Sequence, residues 1–279
     1  MRSLTVEEIN VLKCNGCFAE DWADITVDED FSPEYIHNVA FYGEVTLGLF
    51  EKAVTLEQGF SRHAGIYNAT LRNTTVGDNC LIENVGNYIN NYEISDECVI
   101  SNVGVITADD ETTFGQGNKV AVLNEAGDAN VIIYDGLTSQ MAALMMMAAD
   151  NRPLWERLHT MVNDYVSNRK SSKGLIGYRA KITNTREINN TWIDDDCEIN
   201  GASCISETTL KGMTEAGVFI GHDVICKNSV VMAGASVLDG AKIDNCFVGE
   251  ACHVGRGFSA ESSIFFANSY MDNGEACAA

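Results

Sequence analysis

Five histidines are the side chains of this chain best suited to proton transfer. A histidine base can take a proton from a substrate hydroxyl or amine. His63 lies near a predicted corner of the chain path, and His222 lies at a predicted turn, so we take these two as the candidate catalytic residues. His37 precedes the first clear repeat, His159 lies on a predicted helix, and His253 is expected to point outward, where a histidine is usually only solvated.

Other residues that could carry chemistry are weaker candidates. Cys14 and Cys17 have C-x-x-C spacing, but no second pair completes a zinc site and no βα pattern for redox work surrounds them. Asn124 and Glu125 stand at the tip of a predicted hairpin and could reach a neighbouring groove. The sequence predicts no metal site and no glycine-rich phosphate loop before a helix. Six asparagines are expected to line turns, where this residue tolerates left-handed backbone: Asn68, Asn73, Asn90, Asn91, Asn189 and Asn190.

The 279-residue chain is strongly acidic, with 18 Lys and Arg against 40 Asp and Glu and a formal net charge of −22. This balance argues against nucleic acid and an anionic membrane surface as partners, because both attract clustered cations. No segment has the roughly 18 apolar residues of a membrane span, and the first residues have no apolar signal-peptide core. The sequence therefore predicts a cytoplasmic protein without a disulfide scaffold.

A six-residue repeat runs through most of the chain and must position these side chains. Four segments share an aliphatic residue, a cysteine four places later and another aliphatic residue six places later: 76–82, 94–100, 193–199 and 248–254. The step of six continues at Ile193, Ile199 and Ile205, at Ile220, Cys226, Met232 and Leu238, with Val224, Val230 and Ser236 at the +4 places, and at Val248, Val254, Ala260 and Phe266. This period fits a short strand followed by a tight turn, repeated many times. Residues at +4 and +6 both face inward, and the +4 residue is small because the corner is narrow.

This pattern resembles the hexapeptide-repeat superfamily over most of residues 36–105 and 176–279. The resemblance implies an all-β fold, a left-handed parallel β-helix that forms a three-sided solenoid. The irregular repeat spacing at 238–247 resembles that of the β-helical tails of sugar-nucleotide pyrophosphorylases. The repeat is also similar to that of uncharacterised bacterial hexapeptide-repeat proteins. The related acyltransferases imply an acyl-CoA cofactor beside a histidine base, in a groove between the subunits of a homo-oligomer, typically a trimer.

Breaks in the repeat divide the chain into four predicted regions. A cap helix over residues 4–25, with Thr5 as its N-cap, would cover the open first coil. The regions are a helical cap at 1–30, the first part of the β-helix at 31–117, an inserted hairpin and helical pair at 118–172, and the second part of the β-helix at 173–279.

The insertion is predicted as a protruding β-hairpin over 118–135 and two helices within 137–170. Thr138 or Ser139 caps the first helix. The second helix carries a predicted apolar stripe of Leu154, Leu158, Met161, Tyr165 and Val166. Two interpretations stay open: the helices pack on each other and on the β-helix, or Met145–Met147 forms part of a subunit or partner interface.

The segment 273–277 echoes 249–252, so the sequence stops inside a repeat. We expect a piece of a longer protein that continues with further coils. Three functions remain open. The first, which the resemblance favours, is a transferase acting on a sugar or sugar nucleotide by acyl or nucleotidyl transfer. The others are a non-catalytic binding or regulatory module and a structural solenoid.

Overall fold

The computed structural model describes residues 1–122 and 130–279, and these form a predominantly β protein with few helices. One large, mostly parallel sheet contains most strands. Before the insertion these strands are Arg2–Ser3, Phe18–Ala19, Ile25–Val27, Ile36–Tyr42, Val45–Leu47, Gly65–Arg72, Thr75–Val76, Leu81–Val85, Ile89–Asn90, Tyr92–Ile94, Val99–Val103 and Val105–Thr107. After it they are Gly174–Ile176, Lys181–Thr183, Glu187–Ile193, Glu198–Asn200, Cys204–Leu210, Phe219–Ile220, Ile225–Lys227, Val230–Val231, Ser236–Val237, Lys242–Asp244, Phe247–Val248, His253–Gly255, Ser259–Glu261, Ile264–Phe265, Tyr270–Asp272 and Glu275–Cys277.

The sheet is solenoid-like, because each short strand pairs with the strand one coil further along the chain. Ser236 pairs with His253, 17 residues later, and His253 pairs with Tyr270 after the same interval. The residues that follow Ser236 and His253 face the other way, into the core. Together with the matching residues of earlier strands they form an aliphatic ladder, and all are almost completely buried: Ile82, Ile100, Ile182, Ile199, Ile220, Val237 and Val254. Burial of the core to which this ladder belongs is the main stabilisation of the fold.

Asparagines turn the chain at one corner of the stack. Asn38 donates a hydrogen bond to Asn68 (3.2 Å), and Asn68 donates to Asn84 (3.1 Å). All three have left-handed backbone, which asparagine adopts at low cost. The predicted left-handed backbone is confirmed for Asn68, Asn73, Asn91 and Asn190, with φ between 44° and 56°, whereas Asn90 and Asn189 do not have a positive φ.

The repeat cysteines face the core, as the pattern predicts. Cys80, Cys98, Cys197 and Cys252 are at most 1% exposed. Beyond Cys226, however, the positions predicted to face the core are wrong by one residue. Val231 and Val237 fill the core where Met232 and Leu238 were expected, because the buried positions after Cys226 follow at intervals of five and then six residues. The same shift turns Ser236 outward, and it places Phe265 rather than Phe266 against the core.

The first helix, α1 (Val6–Cys14), is shorter than predicted. Thr5 caps it through a capping box with Glu8, as expected, but the helix ends where Gly16 turns the chain with φ +80°. The strand Phe18–Ala19 and a single 3-10 turn, Trp22–Asp24, follow instead of more α-helix. Leu12 is buried in the main core, and Arg2–Ser3 pairs antiparallel with Ile25–Val27.

The insertion contains an antiparallel pair, Lys119–Val120 with Val131–Ile132, and the helices α2 (Ser139–Met147) and α3 (Arg152–Ser167). Thr138 caps α2. Their apolar side chains pack on the outside of the sheet, around Val230 and Phe247. Of the predicted α3 stripe, Leu158 and Val166 are buried, but Leu154, Met161 and Tyr165 are exposed, and Val162 fills the core instead.

No helix in the described residues is long and apolar enough to cross a membrane.

Candidate functional site

His63 lies at the end of an antiparallel hairpin, Ala53–Glu57 with Phe60–His63, which was not predicted. Its ring stacks on Tyr35 with centroids 3.5 Å apart, and its Nδ1 donates to the carbonyl of Ala64 (2.9 Å). The ring is therefore half-buried and held by packing and one backbone contact.

His222 is exposed at a corner beside Gly201, where a β-carbon would lie 2.0 Å from its Nδ1. Gly65 lies close to His63 in sequence, and Phe219 lies close to His222. Five successive strand pairings lead from Gly65 to Phe219, so the two positions are roughly 24 Å apart. The structure does not bring His63 and His222 into one site.

Two further histidines stack on neighbouring aromatic rings. His159 is buried on α3 and stacks on Trp155 at 3.7 Å, and this burial lowers the pKa of its imidazole. His37 places its Nε2 2.9 Å from the carbonyl of Glu34 and stacks on Tyr67 at 5.8 Å. His37 also borders an open depression of about 590 Å³, together with Pro33 and Tyr35.

His253 has polar neighbours at both ring nitrogens. Nδ1 lies 3.1 Å from Oγ of Ser236, and Nε2 lies 3.3 Å from Oδ1 of Asp272. The ring stacks on Tyr270, with centroids 4.4 Å apart and planes within 10°. A serine, a histidine and a carboxylate thus stand in line on the outer face of the sheet, and we call these three residues the Ser236 array.

Asp272 is the mostly buried end of the array, with 12% of its side chain exposed. Its Oδ2 accepts a hydrogen bond from the Tyr270 hydroxyl (3.1 Å) and lies 3.3 Å from Nε of Arg256. Its Oδ1 is buried and, among the described residues, accepts no well-aligned hydrogen bond.

Gly255 makes room for the contact between the histidine and the carboxylate. A β-carbon at this position would lie 2.8 Å from Nε2 of His253 and 2.8 Å from Oδ1 of Asp272. Both distances are shorter than a carbon atom tolerates. The absence of a side chain at 255 is therefore a requirement of the array.

The coil length positions the array. Ser236, His253 and Tyr270 occupy equivalent places in three successive coils, and adjacent parallel strands lie about 4.8 Å apart. Asp272 lies two residues after Tyr270, on the same face, since alternate residues of a strand share a face. Its strand partner, Gly255, leaves that position open.

The arrangement has the parts of a nucleophilic site. A serine hydroxyl is a weak nucleophile until a base takes its proton, and a histidine oriented by a carboxylate is such a base. In this array, Nδ1 of His253 is the ring nitrogen that faces Oγ of Ser236, and Nε2 is the one that faces Oδ1 of Asp272. Such sites are recognised by geometry and roles rather than by sequence order.

The nearby thiols are poor competitors for this role. Burial raises the pKa of the Cys226 and Cys246 thiols to about 12, and it also raises the pKa of Cys252, the neighbour of His253. The thiolate is the reactive form of cysteine. In the C-x-x-C pair, Cys14 is exposed and burial raises the pKa of Cys17.

Within residues 1–122 and 130–279, no three His, Cys, Asp or Glu side chains are grouped as metal ligands. The hairpin-tip candidates Asn124 and Glu125 lie outside the described residues.

Sequence reasoning considered His253 but missed its partners. Ser236 was assigned to the core, and Asp272 and Gly255 were not considered. A 17-residue interval from Ser236 to His253, with an acid 19 residues beyond, was the available signal.

The fold and this array define a class: a predominantly β, solenoid-like protein with a polar Ser–His–Asp arrangement on its outer face. The chain belongs to the family described as Domain of unknown function (DUF4954), whose model matches residues 1–279. Among curated proteins, no sequence matches it.

Proposed function

We propose that the sheet is a left-handed, three-sided β-helix of the hexapeptide-repeat superfamily, with a helical cap and an inserted hairpin and helix pair. In the coils after Ile220, the inward-facing residues are six, five and six residues apart, and this spacing of three short sides supports the proposal. The buried cysteines at the +4 places support it as well. The family resemblance then implies a homo-oligomer, typically a trimer.

On this fold we propose an acyltransferase that acts through the Ser236 array. The observation that carries the proposal is the placement of His253 between Oγ of Ser236 (3.1 Å) and Oδ1 of Asp272 (3.3 Å). Of the two transfer reactions that the sequence left open, acyl transfer is favoured over nucleotidyl transfer because a histidine-activated serine is suited to attack on a carbonyl.

The reaction has two balanced steps. In the first, Oγ of Ser236 attacks the carbonyl carbon of an acyl thioester, its proton moves to His253, and the C–S bond breaks as that proton reaches the leaving thiolate. In the second, a sugar hydroxyl gives its proton to His253 and attacks the acyl-serine, which releases Ser236 with the proton restored. The resemblance implies acyl-CoA as donor and a sugar or sugar nucleotide as acceptor.

The test is acetyl transfer from acetyl-CoA, with hydrolysis of 4-nitrophenyl acetate as an acceptor-independent measure of the first step. We expect Ser236→Ala and His253→Asn each to lower the rate at least about a hundredfold. The matched controls are His63→Asn and His222→Asn, which remove the two candidates from sequence. Activity that survives Ser236→Ala but is lost in either control would overturn the assignment.

The second candidate function is a non-catalytic binding module that docks a partner through the helical insertion. The observation that favours it is the outer surface of α2 and α3, where Met147 is 80% exposed and Met161 49% exposed. Met145, in contrast, is buried. An inactive wild type that forms a stable complex, lost in the Met147→Glu variant, would favour this function.

A further inference from the structure

A cavity of about 380 Å³ lies where the chain leaves α3 and rejoins the sheet. Its walls are the segment 168–175 together with Glu93 and Trp192, and we call it the 168–175 cavity. This volume is within the usual range for small-molecule sites. The cavity involves none of the residues of the Ser236 array.

The lining is rich in cations, which is unusual for this chain. Arg169, Lys170 and Lys173 fall within five residues, although the whole protein has only 18 Lys and Arg against 40 Asp and Glu. Ser171 and Ser172 add hydroxyls between them. Cations and hydroxyls close together are the donors that bind phosphate oxygens.

The existing ion pairs leave these cations available. Lys170 lies 2.5 Å from Glu111, but both side chains are about half exposed or more, so the pair contributes little and Lys170 can turn to a ligand. Arg169 is held by the buried Asp135 (3.1 Å) and has further N–H groups to donate.

The backbone of the segment is fixed. The amide of Ser171 donates to the carbonyl of Thr112 (3.0 Å), and the amide of Thr112 donates back (2.9 Å). Oγ of Ser171 also accepts from the amide of Lys173 (3.0 Å). These bonds fix the backbone from which the cationic side chains extend, so a ligand need not order the segment, which lowers the entropic cost of binding.

Trp192 supplies a flat apolar wall. Its Nε1 donates to Oδ1 of Asp194 (2.8 Å), and its ring packs against Phe114 with centroids 5.5 Å apart. Both contacts fix the orientation of the indole. A fixed aromatic ring beside a cationic segment suits a planar base joined to phosphates, since base–aromatic stacking and charge-assisted hydrogen bonds then act together.

We infer that the 168–175 cavity binds a nucleoside diphosphate, with the phosphates on Lys170, Lys173 and Ser172 and the base against Trp192. The inference does not rest on acyl transfer. It is compatible with the proposed function, because acyl-CoA and sugar nucleotides both carry this chemical group.

The experiment is a titration of the full 279-residue chain with ADP, followed by tryptophan fluorescence and by calorimetry. Inorganic phosphate and adenosine are titrated separately, to measure how much the phosphate and the nucleoside each contribute to binding. We expect saturable ADP binding that weakens with added salt, weaker binding of either part alone, and loss of the fluorescence change in Trp192→Phe. Trp22 and Trp155 remain in that variant as internal reference signals.

Lys173→Glu is the decisive variant, and Lys242→Glu is its control, because it makes the same charge change at an exposed lysine outside the cavity. We expect Lys173→Glu to weaken ADP binding about tenfold or more, and Lys242→Glu to leave it unchanged. Equal affinity of the two variants would overturn the inference, as would adenosine binding as tightly as ADP or the absence of saturable ADP binding. Because binding is measured without turnover, its failure is distinguishable from failure of the proposed acyl transfer.

Discussion

The aromatic ring of Tyr92 occupies the space that a side chain on Gly174 would need. A β-carbon at position 174 would lie 2.3 Å from Cζ of Tyr92. The two residues are partners in neighbouring parallel strands, although the whole insertion separates them in sequence. The buried hydroxyl of Tyr92 donates to the carbonyl of Thr191 (3.0 Å) and accepts from its amide (3.1 Å). Tyr92 thus ties together the strands on either side of the insertion.

Gly174→Ala is expected to destabilise the protein by about 1–3 kcal/mol, because the added methyl group overpacks against a ring that its hydrogen bonds hold in place. Gly86→Ala is the control, since a β-carbon there would meet its nearest atom at an ordinary 3.7 Å. Thermal or urea denaturation measures both variants. Equal stability of the two would contradict the packing described for Tyr92.

Val224→Glu is expected to lower the free energy of unfolding by about 3 kcal/mol or more. Val224 is fully buried in the core, and a carboxylate there would have neither water nor a cation. Lys227→Glu, which introduces the same residue at an exposed position three residues later, should change stability little. If the two variants melted together, the inward register of the coils would be wrong.

Glu8 is expected to make stability depend on pH. Hydrogen bonding to Arg2, opposed in part by burial, lowers the pKa of this carboxyl from 4.5 to about 2. Since the folded-state pKa is depressed, the stabilisation is complete above about pH 4.5 and is lost as the pH falls toward 2.

Glu8→Gln should therefore be less stable than wild type at pH 7, and the difference should shrink as the pH falls below 4.5. Denaturant unfolding at pH 7 and pH 3 measures it, with Glu7→Gln in the same helical turn as control. A difference that stays constant across this range would mean that the ionised Glu8 contributes no stability.

Gly255→Ala is expected to impair the Ser236 array without unfolding the protein. The new methyl group would push Nε2 of His253 and Oδ1 of Asp272 apart, and both atoms are side-chain ends that can move. We expect acylation of Ser236 to slow by about tenfold or more, because small misplacements of catalytic groups are costly. Gly221→Ala, directly after the strand Phe219–Ile220 and at the corresponding place two coils earlier, should keep the wild-type rate.

Much of the fold could be predicted from sequence because a buried, periodic core imposes a strict pattern. The cysteine places and the asparagine turns follow directly from a narrow corner and a left-handed backbone. The prediction of inward-facing positions was wrong beyond Cys226 because a five-residue step has the same residue types as a six-residue step. Only the strand pairing distinguishes the two steps. The hairpin ending at His63 has no repeat to reveal it.

The candidate site was harder to predict because its members are joined by register and not by local spacing. Ser236, His253 and Asp272 meet only if the coil is 17 residues long, and an error of one residue turns Ser236 into the core. The role of Gly255 depends on a distance between two other side chains, which no local pattern contains.

The central claim is that His253 and Asp272 make the Ser236 hydroxyl a reactive nucleophile. The most direct measurement is intact-mass spectrometry of the wild type and of Ser236→Ala after treatment with a fluorophosphonate, followed by peptide mapping. The account predicts one adduct on the wild type, mapped to Ser236, which is absent from Ser236→Ala and slower to form in His253→Asn. No adduct on the wild type, or an adduct of equal yield on Ser236→Ala, would contradict it.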